Sequence, residues 1–102
     1  MFESKRVAEI RRLDVNFSGS LAVDEELSGT VTVQEIGTSD LTITNSEVND
    51  VDVFIGHRTA IKNQSVSCFI AGGVAGVEYV VRITVGTDEG QTLIAVRSFR
   101  VN

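Results

Sequence analysis

Proline and tryptophan are absent from this 102-residue chain, and cysteine, methionine and tyrosine occur once each. The solitary Cys68 excludes an internal disulfide, so packing must hold the fold, and reliance on packing alone suits assembly in a reducing cytosol. Histidine is as scarce: His57, between Gly56 and Arg58, has no second imidazole to help it bind metal or carry protons. With one Tyr and no Trp, a stacked aromatic platform for sugars or bases is lacking. No apolar run approaches the ~18 residues of a membrane span. The opening Met1-Phe2-Glu3-Ser4-Lys5-Arg6 has no apolar region behind its charges, so a signal peptide is not expected. Positive charge is also in deficit: nine Lys and Arg against fourteen Asp and Glu give a net charge of −5. A nucleic-acid partner, which rewards a basic surface for displacing counterions, is therefore not expected.

What the chain does have is Val, Ile and Thr in quantity, nine Gly, and a hydrophobic share of 42%. β-Branched side chains lose rotamer freedom in helices and fit pleated surfaces, so strands are favoured. The length corresponds to one domain able to bury a core without metals or disulfides.

Residues 1–8 read as a tail or docking arm, and residues 9–102 as the folded body. Strand patterns run over residues 9–18 (Leu13, Val15 and Phe17 inward), 28–36 (Val31 and Val33 inward) and 41–44. Further strands are expected over 51–55, 59–61 and 65–70, the last with Val66, Cys68 and Ile70 inward. Leu21, in a polar connection, is placed to plug one end. The turn Thr87-Asp88-Glu89-Gly90 separates two long runs: Tyr79, Val81, Ile83 and Val85 share one face of the first, and residues 93–101 form the second. The second run poses a parity conflict. Either a bulge near Arg97-Ser98 turns Ile94, Val96, Phe99 and Val101 all inward, or Leu93, Ala95, Phe99 and Val101 face in with Arg97 reaching past an edge. The second arrangement is favoured. About seven or eight short strands with turn signals every 8–12 residues indicate an all-β, immunoglobulin-like antiparallel β-sandwich.

Catalytic chemistry is poorly supplied. Cys68 sits at inward parity, away from any pairing with His57. Asp24-Glu25-Glu26 and the Glu47–Asp52 loop could attract Ca²⁺, but no spaced ladder of oxygens closes on a distant Glu, so both read as solvated turns. Gly72-Gly73-Val74-Ala75-Gly76 is glycine-rich, yet a strand follows it where a phosphate loop needs a helix start. Two matches to the glycosylation pattern, at Asn16 and Asn63, carry little weight without an export signal. Tyr79, opening the penultimate strand, fits a tyrosine corner that bonds nearby backbone. The only local excess of cations is Lys5, Arg6, Arg11 and Arg12, a candidate surface for docking on an acidic partner.

Three segments together resemble the small immunoglobulin-like virion proteins of tailed bacteriophages. They are Leu13–Leu21 with Ser28–Val33, Val66–Tyr79 with its Gly-Gly-x-Ala-Gly corner, and Thr87–Leu93 with Ser98–Val101. That family carries Trp in its first two strands, where this chain has Phe17 and Val31. The resemblance implies a non-enzymatic structural protein of the virion, assembled in the host cytoplasm, with no cofactor or metal. Its partners would be other virion proteins, with no nucleic acid and no membrane. Capsid decoration is the leading expectation, a head–tail (neck) or tail accessory subunit the alternative, and a glycan-binding adhesive module a more distant one. Open sandwich edges also leave room for a homo-oligomer.

Overall fold

A computed structural model describes residues 4–102. Nine strands are formed among them: β1 (Ser4–Lys5), β2 (Arg11–Asn16), β3 (Leu27–Ile36), β4 (Leu41–Val48), β5 (Val53–Ile55), β6 (Arg58–Ala60), β7 (Ser65–Gly72), β8 (Glu78–Thr87) and β9 (Thr92–Val101). One sheet has the order β1-β9-β8-β3, the other β2-β7-β4, and β5-β6 is a separate hairpin. All pairings are antiparallel except β1 with β9. The all-β sandwich expected from the sequence is therefore present. The orders β2-β7-β4 and β3-β8-β9 are those of strands B-E-D and C-F-G in the immunoglobulin arrangement.

Side chains alternate across a strand with period two, and the sequence follows that period. On β8, Tyr79, Val81, Ile83 and Val85 are buried, while Glu78 and Arg82 are exposed and Val80 and Thr84 lie between. Facing them from the other sheet are Leu13 and Val15 of β2 and Val66, Cys68 and Ile70 of β7, all buried. Phe17 closes one end, and Leu21, half-buried, packs against the same cluster. Each large apolar side chain removed from water here contributes about 1.5–3 kcal/mol.

The parity of β9 is resolved without a bulge. Its register with β8 is unbroken from Thr92 to Arg100, so Leu93, Ala95, Phe99 and Val101 turn inward. Ile94 and Val96 are left 59% and 55% exposed on the outer face. At the turn, the Gly90 amide donates to Thr87 O and the Thr87 amide to Gln91 O, with Gly90 at φ +80°. That is a three-residue loop ending in the left-handed residue such loops require.

Within the segment 1–8 expected as a tail or docking arm, Ser4 and Lys5 pair with Arg100 and Val101 of β9, and the Asn102 amide donates to Lys5 O. Residues 1–3 of that arm lie outside the described residues. The loop expected after Thr44 is strand as far as Val48. A register shift between Thr44 and Glu47, with Asn45 at φ +54°, carries the chain past the polar residues and lets pairing with β7 resume.

Candidate functional site

The residues that could do chemistry are dispersed. His57 is exposed in the two-residue turn between β5 and β6. Cys68 is buried, and burial followed by the nearby Asp14 carboxylate pushes its thiol up to about 11, which leaves it a poor nucleophile at neutral pH. Among the described residues no group of three or more His, Cys, Asp or Glu side chains is placed to hold a metal ion.

The acidic turn Asp24-Glu25-Glu26 is not simply solvated, as expected. Glu25 is buried: its carboxylate accepts hydrogen bonds from the Ala22 amide at 2.9 Å and from the Thr87 hydroxyl at 2.7 Å. The same Thr87 oxygen accepts from the amides of Glu89 and Gln91. Asp88 completes the link by exchanging main-chain and side-chain hydrogen bonds with Glu26. Glu25 therefore fastens the tip of the β8–β9 hairpin to the β2–β3 connection. Beside it an open cleft of about 330 Å³ is lined by Asp24, Glu25, Glu26, Ile61, Lys62 and Gln64.

The opposite end of β8 holds the glycine corner. The Tyr79 hydroxyl accepts from the Val74 amide at 2.7 Å and donates to Asp40 Oδ2 at 2.9 Å, and its ring stacks on Phe99 with centroids 5.8 Å apart. This is the expected tyrosine corner, with a second partner on the β3–β4 turn. Burial, and then the neighbouring Asp40 carboxylate, raise the phenol pKa against the opposing pull of the Val74 amide. Gly73, at φ +98°, lies against the same ring, and a Cβ there would sit 2.7 Å from Val101 Cγ2. Glu35 braces the turn from outside. It accepts from Thr38 Oγ1 and from the amides of Asp40 and Leu41. Burial alone would raise its pKa, but these three donors together hold it below the usual carboxylate value.

The four cations proposed as a docking surface do not share one environment. Lys5 is buried, 1% exposed, and its ammonium donates to the Arg6 and Val7 carbonyls at 2.6 and 3.2 Å. With its ammonium held by these carbonyls and its side chain buried, Lys5 offers no open surface of its own. Arg11 lies 3.6 Å from Glu9, and Arg12 bonds Asp14 at 2.9 Å and Asn49 at 3.4 Å. Arg6 is exposed.

Sequence reasoning missed the group around Asn49. This buried side chain donates to Ser65 Oγ and accepts from Ser67 Oγ, both at 2.8 Å. Its position after a run of turn-forming residues concealed it. Exposed apolar side chains are scattered over the surface, among them Val23 in the β2–β3 connection, Phe54 on the β5–β6 hairpin, and Ile94 and Val96, which share the outer face of β9. Among the described residues His57 and Cys68 stand apart, and no group of side chains is assembled to hold a metal.

No curated protein and no solved structure matches the chain. A family profile described as podophage GP4 fiber-tail adaptor protein gp77 matches residues 5–102, nearly the whole chain. The description favours the tail-accessory alternative over capsid decoration. The chain belongs to this family and is a structural component of a tailed-phage particle, assembled in the host cell.

Proposed function

We propose that this protein is an adaptor subunit that joins fibres to the tail of a podophage, acting by surface complementarity and without catalysis. The observation that carries the reading is the family match across residues 5–102. The shape supports it. An adaptor needs two separated contact regions, and the body is elongated, 42 × 26 × 19 Å, with the Glu25 loop cluster and the Tyr79 corner at opposite ends of β8. Both ends are braced by hydrogen bonds that cross between elements, so each presents a preformed surface to a partner. Arg6, Arg11 and Arg12 stay in the proposal as surface cations for an acidic partner, with Arg11 and Arg12 already engaging Glu9 and Asp14.

Particles assembled without this protein test the reading. Filled heads and tails lacking fibres are expected, with fibre attachment restored by adding the purified protein. Normal fibre attachment in its absence refutes the adaptor role, and thinned or unstable capsids would return the function to head decoration.

A further inference from the structure

A free sheet edge is a template for pairing, and folded proteins usually blunt it with bulges, proline or charge. The long edge strands here are treated unequally. β3 has a register shift between Ser28 and Thr32, and β4 has one between Thr44 and Glu47. β9 has none along its ladder with β8, and among the described residues β1 covers it at Arg100 and Val101.

The direction of its main-chain groups follows from the hydrogen bonds at each end. The Thr87 amide donates to Gln91 O at 2.9 Å at the turn, and the Val101 amide donates to Val77 O at 3.0 Å. Bonded and non-bonded pairs alternate along an antiparallel ladder. Leu93, Ala95 and Arg97 therefore bond β8, while the N–H and C=O groups of Thr92, Ile94 and Val96 point away from it. No strand among the described residues pairs with them. One outward oxygen, that of Val96, accepts from the Arg97 guanidinium at 2.9 Å, a side chain of the same strand.

Charge selects the occupant. From Gln91 to Asn102 the chain carries Arg97 and Arg100 and no acidic residue, in a protein of net charge −5. A second copy would bring another −5 and no carboxylate on β9 to meet Arg97. We propose that the Thr92–Val96 edge of β9 receives an extended, carboxylate-bearing segment of another virion protein. The segment adds as a strand outside β9, bonding the outward groups of Thr92, Ile94 and Val96, and its carboxylate draws the Arg97 guanidinium off the Val96 oxygen. Ile94 and Val96 then pack beneath the side chains of the added strand. This recognition mode rests on the adaptor reading and specifies its contact.

Val96→Pro is the direct test. It removes an outward N–H and leaves the β8 ladder intact, a position where an edge strand accepts proline; Val96→Thr is the control that keeps the N–H. The probes are particles assembled without this protein and purified fibres of the same phage. Wild type and Val96→Thr are expected to bind at least one probe, with Val96→Pro and Arg97→Glu weaker on that probe by about tenfold or more. Val96→Pro binding both probes like wild type overturns the inference. Should Val96→Pro not fold, hydrogen exchange on the wild-type complex decides: the Ile94 and Val96 amides are expected to slow at least about tenfold, and unchanged rates overturn it. Wild type binding neither probe overturns the adaptor reading itself, and the edge contact with it.

Discussion

Tyr79→Phe is the sharpest probe of what holds the corner. The substitution removes one oxygen and keeps the ring, so the stack on Phe99 and the apolar burial persist. What is lost is the bond from the Val74 amide at 2.7 Å and the bond to Asp40 Oδ2 at 2.9 Å. Leaving a buried group without its partner costs about 1–3 kcal/mol. Both bonds are only partly shielded from water, so the lower half of that range applies, about 1.5 kcal/mol. For a domain of this size that lowers Tm by roughly 6 °C. Guanidinium unfolding should show the midpoint fall with an unchanged m-value, because the surface exposed on unfolding is nearly the same. Asp40→Ala and the double variant complete a cycle, in which a positive coupling of about 1 kcal/mol is expected from the shared bond. A loss below about 0.5 kcal/mol would mean that the hydroxyl does not brace the corner, whose stability would then come from ring packing alone.

Other perturbations reach other parts of the fold. Glu25→Ala leaves the Ala22 amide and the Thr87 hydroxyl without their carboxylate, and should cost about 3 kcal/mol by denaturant titration with faster exchange in the β8–β9 turn. Gly73→Ala forces a side chain into φ +98° and toward Val101, and should destabilise by more than about 1–2 kcal/mol, read as a lowered unfolding midpoint. Cys68 should resist thiol reagents in the native protein at pH 8 and react only after denaturant unfolds it. Because its folded pKa is raised from 9.0 to about 11, the unfolded chain ionises first; stability is full below pH 9 and declines as pH rises toward 11. The raised Tyr79 phenol acts in the same alkaline direction, and the depressed Glu35 in the acid one, where its contribution is lost as pH falls below the ordinary carboxylate range. Unfolding midpoints measured from pH 3 to 11 check both limbs.

Strands were legible where one face alternates cleanly. In β8 every second residue from Tyr79 to Val85 is apolar and buried, and in β7 Val66, Cys68 and Ile70 obey the same period. The tyrosine corner was readable because a glycine corner immediately precedes a lone Tyr. Polar residues were harder, because the same types serve as solvated turns and as internal braces. Glu25 and Asn49 lie in runs typical of loops, yet both are buried, since partners distant in sequence, Thr87 and Ser65, come to them only in the fold. The burial of Lys5 was hidden for a related reason: it lies in a two-residue parallel pairing with the far end of the chain, which no local pattern signals. The free edge of β9 was visible only as a parity conflict. Ile94 and Val96 contradicted a simple inward-outward reading, and the fold shows that they are the exposed pair on an open strand. Capsid and tail roles, by contrast, impose similar demands on a small sandwich, so composition could not separate them, and it was the family match that shifted the reading toward the tail.

Electron cryo-microscopy of the intact particle tests the central claim most directly. The account predicts density for a sandwich of about 42 × 26 × 19 Å at the tail, in contact with tail and fibre at once. Density on the capsid lattice with none between tail and fibre would contradict it.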